Sequence, residues 1–126
     1  ATYRYYKVYY EATPTENTDC IFTFYKSSGA ITGATALATY AAATYTTAKY
    51  IYQIKKDTAV DTDVGEILIT YEGTSNDVFI TEYGMMNTGS SVGDWSAVYN
   101  SGAVELKFTP TVDGDHTYTI LNTLLI

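Results

Sequence analysis

Residues 48–56 read AKYIYQIKK, and residues 64–73 read VGEILITYEG. In the first, Tyr50, Tyr52 and Ile54 alternate with Lys49, Ile51, Gln53 and Lys55. In the second, Ile67, Ile69 and Tyr71 alternate with Glu66, Leu68, Thr70 and Glu72. Successive side chains of an extended chain point to opposite faces. A period of two therefore predicts strands with one face sequestered. The acidic loop 57–63 joins them.

The same grammar extends in both directions. Towards the C-terminus, Gly73-Thr74-Ser75-Asn76-Asp77 reads as a hairpin connection into a strand over 78–83. A Gly/Ser/Asn-rich loop over 87–94 and a short strand over 95–99 follow. Asn100-Ser101-Gly102 turns into a strand over 103–110, with Val104, Leu106 and Phe108 on one face. Asp113-Gly114-Asp115 is a turn signal before a last strand over 116–126. Towards the N-terminus, residues 2–11 predict a strand with rings on both faces. Tyr3, Tyr5 and Tyr9 lie on one side; Tyr6, Val8 and Tyr10 lie on the other. Residues 20–26 predict a second strand, closed by a turn at Ser27-Ser28-Gly29. The Ala-rich stretch 30–47 predicts a short strand near Leu37 and then a loop, which accommodates one helical turn.

Composition agrees with strands. The 126 residues include 22 Thr and 14 Tyr, and β-branched and aromatic side chains fit a pleated, half-buried surface. Eight or nine short strands with turn signals about every 8–12 residues predict an all-β protein. The expected architecture is an antiparallel β-sandwich of jelly-roll or Greek-key type, as a single domain over residues 1–126.

Charge and length exclude several classes. A formal charge of −7 with no basic cluster makes the phosphate backbone of a nucleic acid a poor partner. No run approaches the ~18 apolar residues of a membrane span. The opening ATYRYYKVYYE lacks the apolar centre and cleavage site of a signal peptide. Ala1 fits removal of an initiator Met, so the chain is expected to be close to a full mature product.

Chemistry-bearing residues are sparse. With Cys20 alone, no intrachain disulfide or Cys-based zinc site can form. A lone Cys at a strand start is most simply a buried structural thiol. His116, the one histidine, sits in DGDH and reads as an exposed turn or strand-start residue. Asp61-Thr62-Asp63 has the alternate spacing of a Ca²⁺ loop without the rest of the pattern, leaving Asp61 and Asp63 as a weak calcium candidate. Glu72 and Glu82 could form a glycosidase acid pair, although any sheet supplies carboxylate pairs. Gly29-Ala30-Ile31-Thr32-Gly33 lacks the Lys of a phosphate loop. No catalytic residue, resident metal or cofactor is expected.

Several short motifs occur in a recognisable order. They are Ala48-Lys49-Tyr50, Glu66-Ile67-Leu68, Gly73-Thr74, Ile80-Thr81-Glu82-Tyr83-Gly84, Gly93-Asp94-Trp95, the segment GAVELKFTP over 102–110, and Asn122-Thr123-Leu124-Leu125-Ile126. Over about residues 44–126 this order resembles a small β-module of virion structural proteins of tailed bacteriophages, common in phages of marine bacteria and cyanobacteria. The resemblance implies a non-enzymatic structural protein of the virion, assembled in the host cytoplasm. The leading expectation is a capsid decoration or cement protein that binds the outer capsid surface. The alternative is a tail, fibre or filament subunit, tube-forming or receptor- and sugar-binding. The expected partners are further copies of the chain, with a trimer by analogy, and the major capsid protein or other virion proteins.

The tyrosine surplus can be read in two ways. It is simple β-propensity, or it marks surfaces covered by neighbours, because Tyr is large, stiff and amphipathic. On the second reading the expected interface is Tyr3, Tyr5, Tyr6, Tyr9 and Tyr10 with the apolar end Leu124, Leu125 and Ile126.

Overall fold

The computed structural model describes residues 2–6 and 20–126, with side chains from Ser27 onward. Nine strands are present among the described residues: β1 (Thr2–Tyr6), β2 (Cys20–Ile31), β3 (Thr35–Ala41), β4 (Thr47–Lys56), β5 (Thr62–Glu72), β6 (Asp77–Asn87), β7 (Gly93–Asn100), β8 (Ala103–Pro110) and β9 (Gly114–Leu125). They form a six-stranded sheet, ordered β1-β2-β9-β4-β5-β6, and a three-stranded sheet, ordered β3-β8-β7. Every pairing is antiparallel. The two sheets face each other across one core, so the all-β sandwich expected from the sequence is the fold.

The topology is of Greek-key kind. Strands β4, β5 and β6 form a meander. Strand β9 returns by way of the smaller sheet to pair with β4, giving the spatial order β9-β4-β5-β6. The pairs β2:β9 and β3:β8 are nested as in a rolled ribbon. In a full jelly roll β4 would next pair with β7; here it lies between β9 and β5.

The inner face of the large sheet is what the alternation promised. Ala48, Tyr50, Tyr52 and Ile54 from β4, Ile67 and Ile69 from β5, and Ile120 and Leu124 from β9 are all buried. They meet Leu37, Ala38, Tyr40, Trp95, Val104, Leu106 and Phe108 of the small sheet. Trp95 packs between Tyr52 and Phe108, with ring centroids 4.7 and 4.9 Å away. Tilted ring pairs at this spacing add to what apolar burial already contributes. Gly93 is needed for this fit, because a Cβ there would stand 2.4 Å from both the Phe108 ring and the Thr109 carbonyl oxygen.

Turn chemistry fixes the hairpins. Asn100 pairs with Ala103, and both residues between them have positive φ: Ser101 at 50° and Gly102 at 93°. That is the twist of a two-residue type I′ connection. The β5–β6 loop 73–76 ends on Asn76 at φ 60°.

Three expectations are corrected. The turn at Ser27-Ser28-Gly29 does not form: β2 runs through it, paired Ser27↔Tyr118, Ser28↔Thr117 and Gly29↔His116. The long ladder with β9 overrides local turn preference. Strand β6 continues beyond residue 83 to Asn87, because a bulge absorbs Gly84 (φ 61°) and resumes pairing at Val64↔Met86. His116 is not an exposed turn residue but is completely buried. Its Nδ1 donates to the Gly114 carbonyl at 2.7 Å, and its ring meets the edge of Phe108 at 5.9 Å.

The Ala-rich stretch resolves simply. A register shift between Ala36 and Ala38 leaves Leu37 and Ala38 both buried, which erased the alternation. After β3, the amides of Thr44 and Tyr45 both donate to the Ala41 carbonyl, forming a single helical turn.

Candidate functional site

The large sheet has a second face, and it points away from the small sheet. Register places Thr47, Lys49, Ile51, Gln53 and Lys55 of β4 on it, beside Thr70, Leu68, Glu66, Val64 and Thr62 of β5. Leu125, Thr123, Leu121, Thr119 and Thr117 of β9 flank β4 on the other side. Strand β6 adds Met86, Tyr83, Thr81, Phe79 and Asp77. Several of these side chains are large, apolar and exposed: Ile51 is 47%, Phe79 57% and Met86 68% exposed. Leu68 and Tyr83 are exposed as well. A band of apolar side chains left in water across adjoining strands is the usual mark of an interaction surface.

Polar groups order this face. Lys49 Nζ lies 3.3 Å from Glu66 Oε1. The Glu66 carboxylate is the main cause of Lys49's raised pKa, and Tyr83 adds to it. Thr47 and Thr70 are joined by their hydroxyls at 3.0 Å. A shallow open groove of about 520 Å³ runs over Ile51, Gln53, Val64, Glu66, Thr119 and Leu121. At one end of the face, Glu72 accepts from the amides of Thr74 and Ser75, both at 2.8 Å, and from the Ser75 hydroxyl. These donors hold its carboxyl down at about pH 2, so the charge persists through the ordinary pH range. Lys55 stands at the opposite end of the same face.

The residues singled out from sequence are distributed as follows. Tyr3, Tyr5 and Tyr6 lie on β1, at register positions opposite Tyr25, Thr23 and Phe22. Tyr9 and Tyr10 lie outside the described residues. Leu124 is corrected from interface to core: it is 6% exposed, whereas Leu125 beside it is 47% exposed and Ile126 is exposed too. Elsewhere, Tyr40, Tyr50 and Tyr52 are buried, Tyr45, Tyr71, Tyr99 and Tyr118 are half-buried, and Tyr83 is exposed. Burial pushes Tyr40 and Tyr52 up to about 12. Tyr40 donates to the Thr46 carbonyl at 3.2 Å, and Tyr71, stacked on Tyr99, donates to Asn76 at 2.6 Å.

Asp61 and Asp63 both reach the loop between β6 and β7. Asp63 is buried, and its Oδ2 accepts from the Val92 amide at 2.9 Å and the Ser91 hydroxyl at 3.3 Å. It clamps the loop between β6 and β7. Asp61 lies against Gly89. No group of three or more metal-binding side chains occurs among the described residues. Glu72 and Glu82 face opposite ways: Glu72 pairs in register with Asp77 on the outer face, while Glu82 pairs with Ile67 on the inner one. Glu82 is raised by burial and by the charge of Asp94, and Glu72 is lowered. The two acids therefore do not share a cleft. The band on β6 was not foreseen, because Val78, Phe79 and Ile80 are consecutive and show no period.

No family model matches the chain, and no curated protein matches it. The solved structures that resemble it include two phage tailspike proteins. One is the tailspike protein of Acinetobacter baumannii phage AM24, at 11% identity over 82% of this chain, with a TM-score of 0.45. The other is the tailspike protein of Acinetobacter phage vB_ApiP_P1, at 15% identity over 100% of this chain, with a TM-score of 0.44. The chain spans 26% of the length of each.

Proposed function

We propose that this chain is a non-enzymatic structural module of a tailed-phage virion, working in a tail or fibre appendage by packing against other β-surfaces. The observation that carries the reading is the exposed apolar band on the outer face of the large sheet, which continues onto β6, an edge strand among the described residues. An open edge beside an apolar face is a template for joining sheets. The motifs that resemble phage virion modules support the virion setting, and those at 48–50, 66–68, 80–84 and 122–126 lie on β4, β5, β6 and β9, the strands that build this face. The separation of Glu72 and Glu82 onto opposite faces supports a packing role over glycan hydrolysis.

Antibody raised against the purified chain, viewed on purified particles of the phage that encodes it, tests this reading. Gold label on the tail is the expected result. Label over the head shell would move the protein to capsid decoration, and particles without label would end the virion reading.

A further inference from the structure

We propose that the free edge of β7, with the uncovered inner face of β6 beside it, takes one added strand. The occupant is an extended segment of a partner protein that brings apolar side chains to Val78 and Ile80 and a Lys or Arg to Glu82. This place is apart from the outer face of the large sheet and goes beyond the reading given to that face.

The sandwich is open along one side. Val78, Ile80 and Glu82 of β6 pair with Tyr71, Ile69 and Ile67 of β5, and so turn to the same inner face. Ile67 and Ile69 are completely buried, whereas Ile80 is 36% exposed and Glu82 is exposed too. The small sheet explains the change. It ends at β7, and β7 lies over β5, where Tyr99 stacks on Tyr71. No strand follows β7 among the described residues to cover β6.

The edge of β7 is ready to pair. A two-residue connection is closed by a hydrogen-bonded pair, here Asn100 and Ala103, and bonded pairs then alternate along the ladder. Val98, Ser96 and Asp94 therefore bond to β8, while Gly93, Trp95, Ala97 and Tyr99 turn their N–H and C=O groups outward. Pro110, which has no N–H, pairs with Gly93, as this phase requires. The Gly93 carbonyl oxygen accepts from the Ser91 hydroxyl at 3.2 Å. The outward backbone groups of Trp95, Ala97 and Tyr99 meet no backbone partner among the described residues. An added strand bonds to such a row, and its alternate side chains enter what lies beneath.

Charge chooses the occupant. Val78 lies level with Tyr99, since both meet Tyr71. Glu82 lies towards Asp94, and its carboxyl is raised by burial and by the Asp94 charge. Buried Asp63 adds a third acid here, for Tyr52 feels both Glu82 and Asp63. No Lys or Arg forms an ion pair with these acids among the described residues. Lys107 of β8 stands opposite Ser96, with Glu105 two positions along the same strand. A strand laid antiparallel to β7 thus meets an apolar floor first and an acidic end last.

Titration of the isotope-labelled chain with the peptide TITVTKT, followed by amide NMR, tests this. Antiparallel to β7, the peptide sets its Ile, Val and Lys over Val78, Ile80 and Glu82. The amides of Ala97 and Tyr99 should shift and exchange more slowly when it binds. The peptide TITVTET should bind about tenfold more weakly, and Glu82→Lys should reverse that order. Ala97→Pro removes an outward N–H, which an edge strand tolerates, and should abolish binding. Thermal melts confirm that both variants stay folded. Equal binding of the two peptides, or binding of neither at about 1 mM, would overturn the proposal. Slow exchange at Ala97 and Tyr99 in the chain alone would overturn it too, and protection that grows with chain concentration would give the edge to a second copy. Particle labelling is read separately, so a bare tail and a bare β7 edge are distinguishable results.

Discussion

The two faces of β4 and β5 come from the same twenty or so residues, yet they obey different rules. The inner face is Tyr50, Ile54, Ile67 and Ile69, closed off by Phe108 and Leu106 from the opposite sheet. The outer face mixes Thr, Lys and Glu with exposed apolar side chains, with its ion pair and its groove open to water. On the inner face a side chain must match its neighbours in volume, because interiors are close-packed. On the outer face no facing sheet among the described residues imposes that match. The difference shows that alternation records only which face is closed within the chain. A face closed by a neighbour leaves a mixed pattern.

The largest break in this symmetry should come from one substitution made on each face. Ile67→Ala opens a cavity in the core and should cost about 2–5 kcal/mol of monomer stability. Ile51→Ala, on the adjoining strand but facing out, should cost under about 1 kcal/mol. Urea unfolding at a concentration that keeps the chain monomeric reads both. Equal losses would mean that the outer face is already closed within the monomer.

A smaller effect should follow from Asp63, the buried carboxylate that ties β5 to the loop before β7. Asp63→Ala leaves the buried Val92 amide without its acceptor, and a loss of about 1–3 kcal/mol is expected. Hydrogen exchange should show the 88–92 loop opening before either sheet. Unchanged protection at Val92 would place its acceptor elsewhere.

The smallest effect belongs to the outer end of the sheet. In the folded chain the Ser75 and Thr74 donors hold the Glu72 carboxyl down at about 2, below the ordinary glutamate range. A carboxyl with a depressed folded pKa contributes stability above its unfolded pKa and loses it as pH falls from about 4.5 towards 2. The side chain is exposed, so the change should stay local to the 73–76 turn. A carboxyl-carbon titration by NMR should place Glu72 lowest among the acids of this face, and Glu72→Gln should abolish the acid sensitivity of the Thr74 and Ser75 amides. A Glu72 midpoint near 4.5 would show that the turn does not hold the carboxylate in solution.

Much of the fold was legible because β4, β5 and β8 each have one closed face, and a period of two carries that directly. Where it failed, a local preference competed with a ladder. Ser27-Ser28-Gly29 looks like a turn only until β9 is laid beside it. Gly84 looks like a strand end, but a bulge lets β6 resume. His116 follows two acids and a glycine, and nothing in DGDH says that the next inward position of β9 faces Phe108. The candidate site was less legible still. Leu124 and Leu125 are the same residue type in adjacent positions, and only register decides that one is core and the other surface. The exposed band on β6 has no sequence signature, since apolar residues there run consecutively instead of alternating.

The position of β9 has a consequence for how the protein is made. It is the last of the described strands, yet it sits between β2 and β4 in the large sheet. Until residues 114–125 have left the ribosome, β2 has no partner on that side, and the β4–β5–β6 meander presents a bare edge at β4. Long-range strand pairing of this kind is slow, and it leaves unpaired edges exposed while it waits. The large sheet therefore closes only when β9 arrives, and a chain that stops short of it leaves β1–β2 and β4–β5–β6 as two half-sheets without their shared strand.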